Sequence, residues 1–212
     1  MDGHAVVESP DVAAPNARAR RVSRTRAALI RSGRQALVSG RATRLGIADL
    51  ARDAGVATGS FYNHFTGKDE LFAVVIAEVV DGLARILDDA VAGVDEPGEY
   101  LRAQIRALVA IGHADPGTAA VVVVARYQVL EDPAIRSHLS FGVHAGLSSG
   151  CFRVHDVEAA LDLVGEVVLA LLRTSRRNPA AVTTEWIETL AQQVLCALGY
   201  PSETSRTKER LS

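Results

Sequence analysis

Apolar residues recur at helical spacing along almost the whole chain. Between Ile47 and Ala54 they are spaced i, i+3, i+4 and i+7, which is the pattern of one buried helix face. Similar spacing, interrupted by glycine and proline, predicts nine helices, at residues 23–39, 47–54, 58–64, 69–92, 99–113, 118–131, 133–149, 157–177 and 180–198. No segment is assigned to a strand, so the predicted fold class is all-α.

Residues 121–124 are four consecutive valines, which are also compatible with a buried strand. Alanines flank them and no partner strand is predicted, so we favour a buried helix. Short polar residues predict where the later helices start: Thr66 and Asp156 as N-caps, and Asp132 followed by Pro133 at the first helical position.

Composition limits the class of protein. With 212 residues and 48% apolar content, the chain is long enough for one domain, or for two small ones that share a core. Apolar runs such as Ala119–Ala125 are far shorter than the ~18 residues of a membrane span, and residues 1–25 lack the pattern of a signal peptide. The only cysteines, Cys151 and Cys196, make a disulfide framework improbable, so we expect a cytoplasmic protein without a membrane partner.

Charge is unevenly distributed. The formal net charge of −2 combines +6 over residues 1–68 with −8 over residues 69–212. A basic amino-terminal part suggests contact with a polyanion. The alternative is that these charges only form a solvated basic tail.

Residues 43–68 contain two short helices joined by a turn at Gly55, the arrangement of a helix-turn-helix. Glycine allows the positive φ of a sharp turn. Val56 and Phe61 are expected to hold the second helix against the first, which leaves its small polar residues free to enter a major groove about 12 Å wide.

The residues of this segment resemble those of one known family. LARDAGVATGSFYNHF at residues 50–65, followed by KDELF at 68–72, is similar to the amino-terminal domain of TetR (tetracycline repressor-like) transcription regulators, and the resemblance covers about residues 24–72. Two departures occur: Leu45-Gly46 stands where the family often has a Thr or Ser cap, and Ala48 where a polar DNA contact is common. Arg44 or Arg41 is expected to take over that phosphate contact.

The resemblance implies double-stranded DNA as a partner and assigns roles to individual residues. Base-edge contacts fall to Thr58, Gly59 and Ser60, and phosphate contacts to Tyr62, His64 and Lys68, together with Arg44. For Tyr62 and His64 the alternative is packing within the three-helix unit, whereas Phe61 and Phe65 are assigned to its core. The arginines between residues 18 and 26 form a further hypothetical DNA contact.

Two late apolar helices are expected to form a homodimer. They could simply be core, but the resemblance favours a two-fold four-helix bundle with a second chain, which implies a palindromic operator. The predicted interface residues are Leu161, Val164, Val168, Leu171, Trp186, Leu190 and Val194.

The resemblance also implies a cavity for a small-molecule effector, which the apolar character of the chain suggests is hydrophobic. The candidate lining residues are His113, Tyr127, Phe141 and His144, with His138 as a further polar candidate. The three histidines lack the close spacing of metal ligands, and histidines at the surface or satisfied by other side chains are the simpler interpretation. We therefore expect no metal and no cofactor.

The H-E-x-x-H, C-x-x-C, G-x-G-x-x-G and P-loop motifs of metalloenzymes, redox proteins and nucleotide-binding proteins do not occur in the sequence, so an enzyme is not expected. A helical-bundle enzyme and an adaptor module remain as alternatives. The predicted organisation is a flexible basic tail (1–22), a helix-turn-helix domain (23–70), a ligand-binding and dimerisation domain (71–201) and a polar tail (202–212). In the expected mechanism a dimeric repressor leaves its operator when the effector changes the separation of the recognition helices; an activator is the alternative.

Overall fold

The computed structural model describes residues 13–201, which form ten α-helices and one 3₁₀ turn, with no strand in that range. The predicted all-α class is thus confirmed. The helices are α1 Ala13–Val38, α2 Ile47–Asp53, α3 Thr58–Tyr62, α4 Lys68–Val91, α5 Pro97–Ala114, α6 Pro116–Val124, α7 Arg126–Leu130, α8 Pro133–Ser148, α9 Val157–Arg177 and α10 Thr184–Ala197, and the 3₁₀ turn is Pro179–Ala181.

The predicted helix at 118–131 is two helices. Asp115 caps α6 by accepting the Thr118 amide at 2.9 Å, and Pro116 occupies the first turn, so the Asp-Pro pair starts a helix rather than only marking a turn. The backbone then leaves helical geometry at Ala125 (φ −96°, ψ 25°), which separates α6 from α7. The four valines are helical, as favoured.

Helix α1 begins ten residues before the predicted start. Residues 13–22 are therefore helical, which corrects the loose tail that Pro15 and the weak periodicity indicated. Proline fits the first turn of a helix, where its missing N–H has no helical partner. The rest of that predicted tail, residues 1–12, and the predicted polar tail at 202–212 lie outside the described residues.

Thr66 does not have its predicted capping role. The N-cap of α4 is Gly67, while the amide and hydroxyl of Thr66 donate to the Glu70 carboxylate at 2.6 and 2.8 Å. These bonds hold the pKa of Glu70 below its usual value. The predicted caps Asp132 and Asp156 are confirmed, since both accept amides of the helices that follow them.

A continuous apolar core extends from α1–α4 into the helices that follow. Leu29, Leu50 and Leu71 are fully buried where α1, α2 and α4 meet. Helix α4 continues into the second half of the molecule, where Val79, Leu83 and Leu87 are buried. We call α1–α3 with the start of α4 the head, and the remaining helices the body; α4 belongs to both.

No single helix between residues 13 and 201 is long and apolar enough to cross a membrane. Helices α5 and α6 reach the required length and hydropathy only when joined, and the chain bends by 114° between them. Most of their apolar side chains are buried inside the body.

Candidate functional site

The turn between α2 and α3 is fixed by backbone geometry. Gly55 has φ +71°, a conformation that residues with a side chain rarely adopt. The amide of Val56 donates to the carbonyl of Ala51 at 2.9 Å and closes the end of α2. The Ser32 hydroxyl, itself buried in α1, donates to the Leu50 carbonyl at 2.9 Å, so α2 is also tied to α1.

Two phenylalanines hold α3 against the rest of the head. Phe61 and Phe65 are buried, and their ring centroids lie 5.7 Å apart, as expected for core residues. The Arg26 guanidinium lies 5.3 Å from the Phe65 ring centroid, a cation–π contact from α1. The backbone of α3 is therefore fixed from its buried side.

The opposite side of α3 is exposed. Thr58 and Gly59 face solvent, Ser60 is half-buried, and Tyr62 is 58% exposed while its ring packs edge-on against Phe61 at 5.7 Å. Thr58 and Tyr62 are four residues apart and so share one helix face. This face presents two hydroxyl groups and a glycine without a side chain to an approaching molecule.

The other predicted DNA contacts are also accessible. Arg44 is exposed before α2, His64 is half-buried beside the Phe65 ring, and Lys68 is half-buried at the first position of α4. Arg44 forms no ion pair with any side chain that the structure describes. The nearby Arg41 lies 3.9 Å from the Asp53 carboxylate, so of the two arginines Arg44 is the one with a free guanidinium.

Asp49 makes up for the missing Ser or Thr cap of α2. The amide of the N-cap residue Gly46 donates to the Asp49 carboxylate at 3.1 Å, and Arg52 pairs with Asp49 at 2.8 Å. The Gly46 amide, followed by Arg52, lowers the pKa of Asp49. The carboxylate remains ionised at neutral pH and favours the start of α2.

The predicted ligand residues lie apart from one another and do not line a common cavity. Tyr127 and Phe141 are 65% and 63% exposed, and His113 and His144 are also at the surface. His138 is half-buried, 3.6 Å from Asp88. Within residues 13–201 no group of three side chains could hold a metal ion. Polar and aromatic character suggested ligand contacts, whereas these residues lie on the outer faces of their helices.

The body instead encloses a small cavity with a wholly apolar lining. Its volume is about 30 Å³, roughly the space of one water molecule. Leucine, isoleucine and valine side chains from α4 to α9 form its wall, with one glycine: Leu83, Leu108, Ile111, Val122, Val129, Leu130, Ile135, Leu139, Val164, Gly165, Val168, Leu169 and Leu172.

Most residues of the predicted dimer interface are buried within their own chain. Five of its residues are at most 5% exposed because they pack into the body of their own chain: Leu161, Val164, Val168, Leu171 and Val194. Buried side chains cannot contact a second chain without rearrangement. Trp186 and Leu190 are half-buried and remain available, and Leu163, on the outer face of α9, is 41% exposed.

Arg34 is a polar residue that the sequence reasoning missed. Its guanidinium lies 3.0 Å from the Asp115 carboxylate and 2.6 Å from the Thr118 hydroxyl, and so joins α1 of the head to the start of α6 in the body. Thr118 and then Arg34 lower the pKa of Asp115. The pair Asp115-Pro116 signals a helix start, but no local pattern indicates that Asp115 pairs with Arg34, 81 residues earlier in the chain.

A family model of bacterial regulatory proteins of the tetR family matches residues 36–75, the end of α1 through the start of α4. The comparison with curated proteins yields no match.

Solved structures share the whole fold. A TetR family transcription regulator from Marinobacter aquaeolei VT8 is 18% identical, with a TM-score of 0.68, over 84% of this chain and 97% of that one. KstR2, a ketosteroid transcriptional regulator of Mycobacterium tuberculosis, is 20% identical (TM-score 0.59; 84% and 95% covered). RolR in complex with resorcinol is 22% identical (TM-score 0.62; 89% and 94% covered).

Proposed function

We propose that this chain, whose residues 36–75 match the tetR family model and whose fold is that of solved TetR family regulators, is a transcription regulator and not an enzyme: a dimeric repressor released from its operator by a small hydrophobic molecule. The observation that carries the proposal is the exposed face of α3. A short helix held by Phe61 and Phe65 presents Thr58, Ser60 and Tyr62 outward, as base-edge and phosphate contacts require.

Electrophoretic mobility shift with the DNA upstream of the gene tests the proposal. We expect sequence-specific binding that survives competition by unrelated DNA, because the exposed face of α3 offers side chains for base-edge contacts, whereas binding by basic charge alone is independent of sequence. Absence of specific binding there would contradict self-regulation, and absence of any specific site in a genome-wide selection would contradict the repressor itself.

The dimer is proposed to form through the outer faces of α9 and α10. Leu163, Trp186 and Leu190 are accessible on these helices, and exposed Ala170 adds a small apolar position to α9. Two helices from each chain would pack as a four-helix bundle about a two-fold axis. The two recognition helices would then face two half-sites of a palindrome.

Leu163→Arg is expected to weaken dimerisation by at least tenfold, because an apolar side chain is replaced by a charge that the interface must desolvate. Analytical ultracentrifugation over a concentration series measures this. Val124→Arg is the control, since Val124 is similarly exposed, at 47%, but lies on α6. An unchanged dimer in Leu163→Arg would show that another surface mediates association.

The basic start of α1 is proposed to contact DNA phosphates. Arg18, Arg20, Arg21 and Arg24 are all exposed and form no ion pair with any described residue. Their backbone is helical, so they would follow the phosphate backbone from a rigid support rather than as an extended arm. Arg26 differs, because it packs on Phe65.

Arg20→Ala/Arg24→Ala is expected to lower operator affinity and to make the slope of log K against log salt less steep, by about 1 for each phosphate that the arginines no longer neutralise. The control is Arg85→Ala/Arg153→Ala, which removes two exposed arginines from the body. Titrations at several salt concentrations measure the slope. An unchanged slope in the first variant would show that α1 extends into solvent without touching DNA.

The effector is proposed to bind at the apolar cavity of the body. RolR, which shares this fold, is solved in complex with resorcinol, and this supports a small-molecule ligand for this chain as well. A volume of about 30 Å³ admits no such molecule until side chains move, so binding must displace the cavity wall. The wall includes Leu83 on α4 and Val122 on α6, and both helices also pack against α1 of the head.

A further inference from the structure

An open groove lies next to the apolar cavity, between α1, α4 and the α5–α6 junction. Its volume is about 250 Å³. The rim is polar, with Arg34, Glu78, Asp115 and Thr118, and the floor is apolar, with Leu83 and Ile111. The groove thus differs from the cavity, whose lining is wholly apolar.

The groove and the cavity share part of one wall. Leu83 and Ile111 line both spaces and are themselves only 3% and 5% exposed. A change in the rotamers of these two side chains would join the spaces into one, with an apolar inner end and a polar outer end. Side-chain rotations of this kind need no movement of the helices.

The charges on the rim favour some polar groups of a bound ligand over others. It carries one positive charge, on Arg34, and two negative charges, on Glu78 and Asp115. Arg34 is already paired with Asp115 at 3.0 Å, whereas Glu78 forms no ion pair among the described residues. A carboxylate would therefore meet net negative charge, while a hydroxyl or ammonium group would find free acceptor oxygens.

We propose that this groove admits the effector to the cavity past Leu83 and Ile111. We infer that the effector is amphipathic. It has an apolar part and, at one end, an uncharged or cationic hydrogen-bonding group that lies beside Glu78, Asp115 and Thr118. This inference rests on the proposed effector response and adds the access route and the chemical class.

The position of the ligand's polar group also couples ligand binding to the DNA-binding head of the protein. Thr118 accepts from Arg34 at 2.6 Å and donates to Asp115 at 2.6 Å, so the three side chains form one hydrogen-bonded contact between α1 and α6. A polar group of the ligand that bonds to Asp115 and Thr118 competes with Arg34 for these two side chains. Binding in the groove thereby loosens a direct link between head and body, and so biases their relative arrangement.

Gly82 gives the test a clean variant. It lies on the groove within α4, and a Cβ atom added there would meet no atom within 4 Å. Leucine favours a helix interior more than glycine does, so Gly82→Leu is expected to fold while its side chain fills the groove. Gly82→Ala is the matched control, because it makes a similar change to the helix and leaves most of the groove open.

The probes are hexan-1-ol, hexylamine and hexanoate, which share one tail and differ in the head group. Binding is followed without DNA, by amide chemical-shift changes at Leu83, Ile111 and Asp115, which line the groove and are not replaced in any variant. We expect hexanol and hexylamine to bind at least fivefold more tightly than hexanoate in the wild-type protein and in Gly82→Ala, and to lose binding in Gly82→Leu. Equal or tighter binding of hexanoate, or unchanged binding in Gly82→Leu, would overturn the proposal.

Thr118→Val provides a second measurement that keeps the shape of the side chain and removes its hydroxyl. The affinity for hexanol is expected to fall about two- to tenfold, as for the removal of one hydrogen bond. An unchanged affinity would overturn the placement of the head group. These binding assays contain no DNA, so a failure of operator binding would count against the proposed function and leave their result intact.

Discussion

Tyr62→Ala is expected to reduce affinity for each operator half-site by about 10- to 100-fold while the chain remains folded. A hydrogen bond to a charged group contributes about 1.5–3 kcal/mol, and 1.4 kcal/mol corresponds to a factor of ten in affinity. The side chain is 58% exposed, so its removal opens no cavity in the core. In a two-fold dimer each half-site loses this bond, so the factor of about 10 to 100 applies to each half-site and the two factors multiply for a dimer bound to the whole operator.

Two further variants separate the hydroxyl from the ring. Tyr62→Phe keeps the edge-on packing against Phe61 and removes only the hydroxyl, so it should weaken binding nearly as much if that group bonds to phosphate. Tyr127→Ala removes a similarly exposed tyrosine from the body and should leave affinity unchanged. Wild-type affinity in Tyr62→Ala would assign Tyr62 to packing within the head, which is the alternative that the sequence leaves open.

The structure of the head can be predicted because it depends on residues that are close together in the sequence. Gly55 requires a positive φ, Phe61 and Phe65 alternate with exposed positions at helical spacing, and α2 and α3 are adjacent in the chain. Burial within the head follows from the same pattern. The missing cap of α2 is also visible, although its replacement by Asp49 depends on a side-chain geometry that only the structure provides.

The body is less predictable because an apolar helix face does not identify what covers it. The pattern leaves open whether Val164 and Val168 face their own chain or a second one, the resemblance favours the second chain, and in the structure they are buried against their own. The opposite face of α9, with Leu163, has a mixed character in sequence because polar residues flank it. Amphipathic spacing indicates that a face is covered, and which partner covers it is a property of the tertiary arrangement.

The positions of the polar and aromatic candidates for the ligand site are unpredictable for a related reason. Aromatic side chains often line ligand sites, yet Tyr127 and Phe141 both project outward and the enclosed space is lined by aliphatic residues. The link from Arg34 to Asp115 joins residues 81 positions apart, and no local pattern encodes such a pairing. Long-range polar contacts of this kind cannot be predicted from the periodic spacing of apolar residues.

Phe61→Ala is expected to destabilise the head by about 3–5 kcal/mol, the range for truncating a fully buried phenylalanine. That is a large fraction of the roughly 5–15 kcal/mol by which folded domains are stable. Phe61 packs against Phe65 and supports the backbone that carries Tyr62, so operator binding should be lost as well. Hydrogen exchange over residues 47–65 measures the local destabilisation.

The matched control is Phe152→Ala, the same change at a residue that is 2% exposed and packs on Tyr200 in the body. The single tryptophan, Trp186, lies on α10, so its emission reports unfolding of the body. Phe152→Ala should lower the midpoint of the unfolding transition that tryptophan emission reports. Phe61→Ala should first increase the rate of hydrogen exchange in the head. Because α4 carries buried residues of both halves, identical shifts in the two variants would instead show that head and body unfold as one cooperative unit.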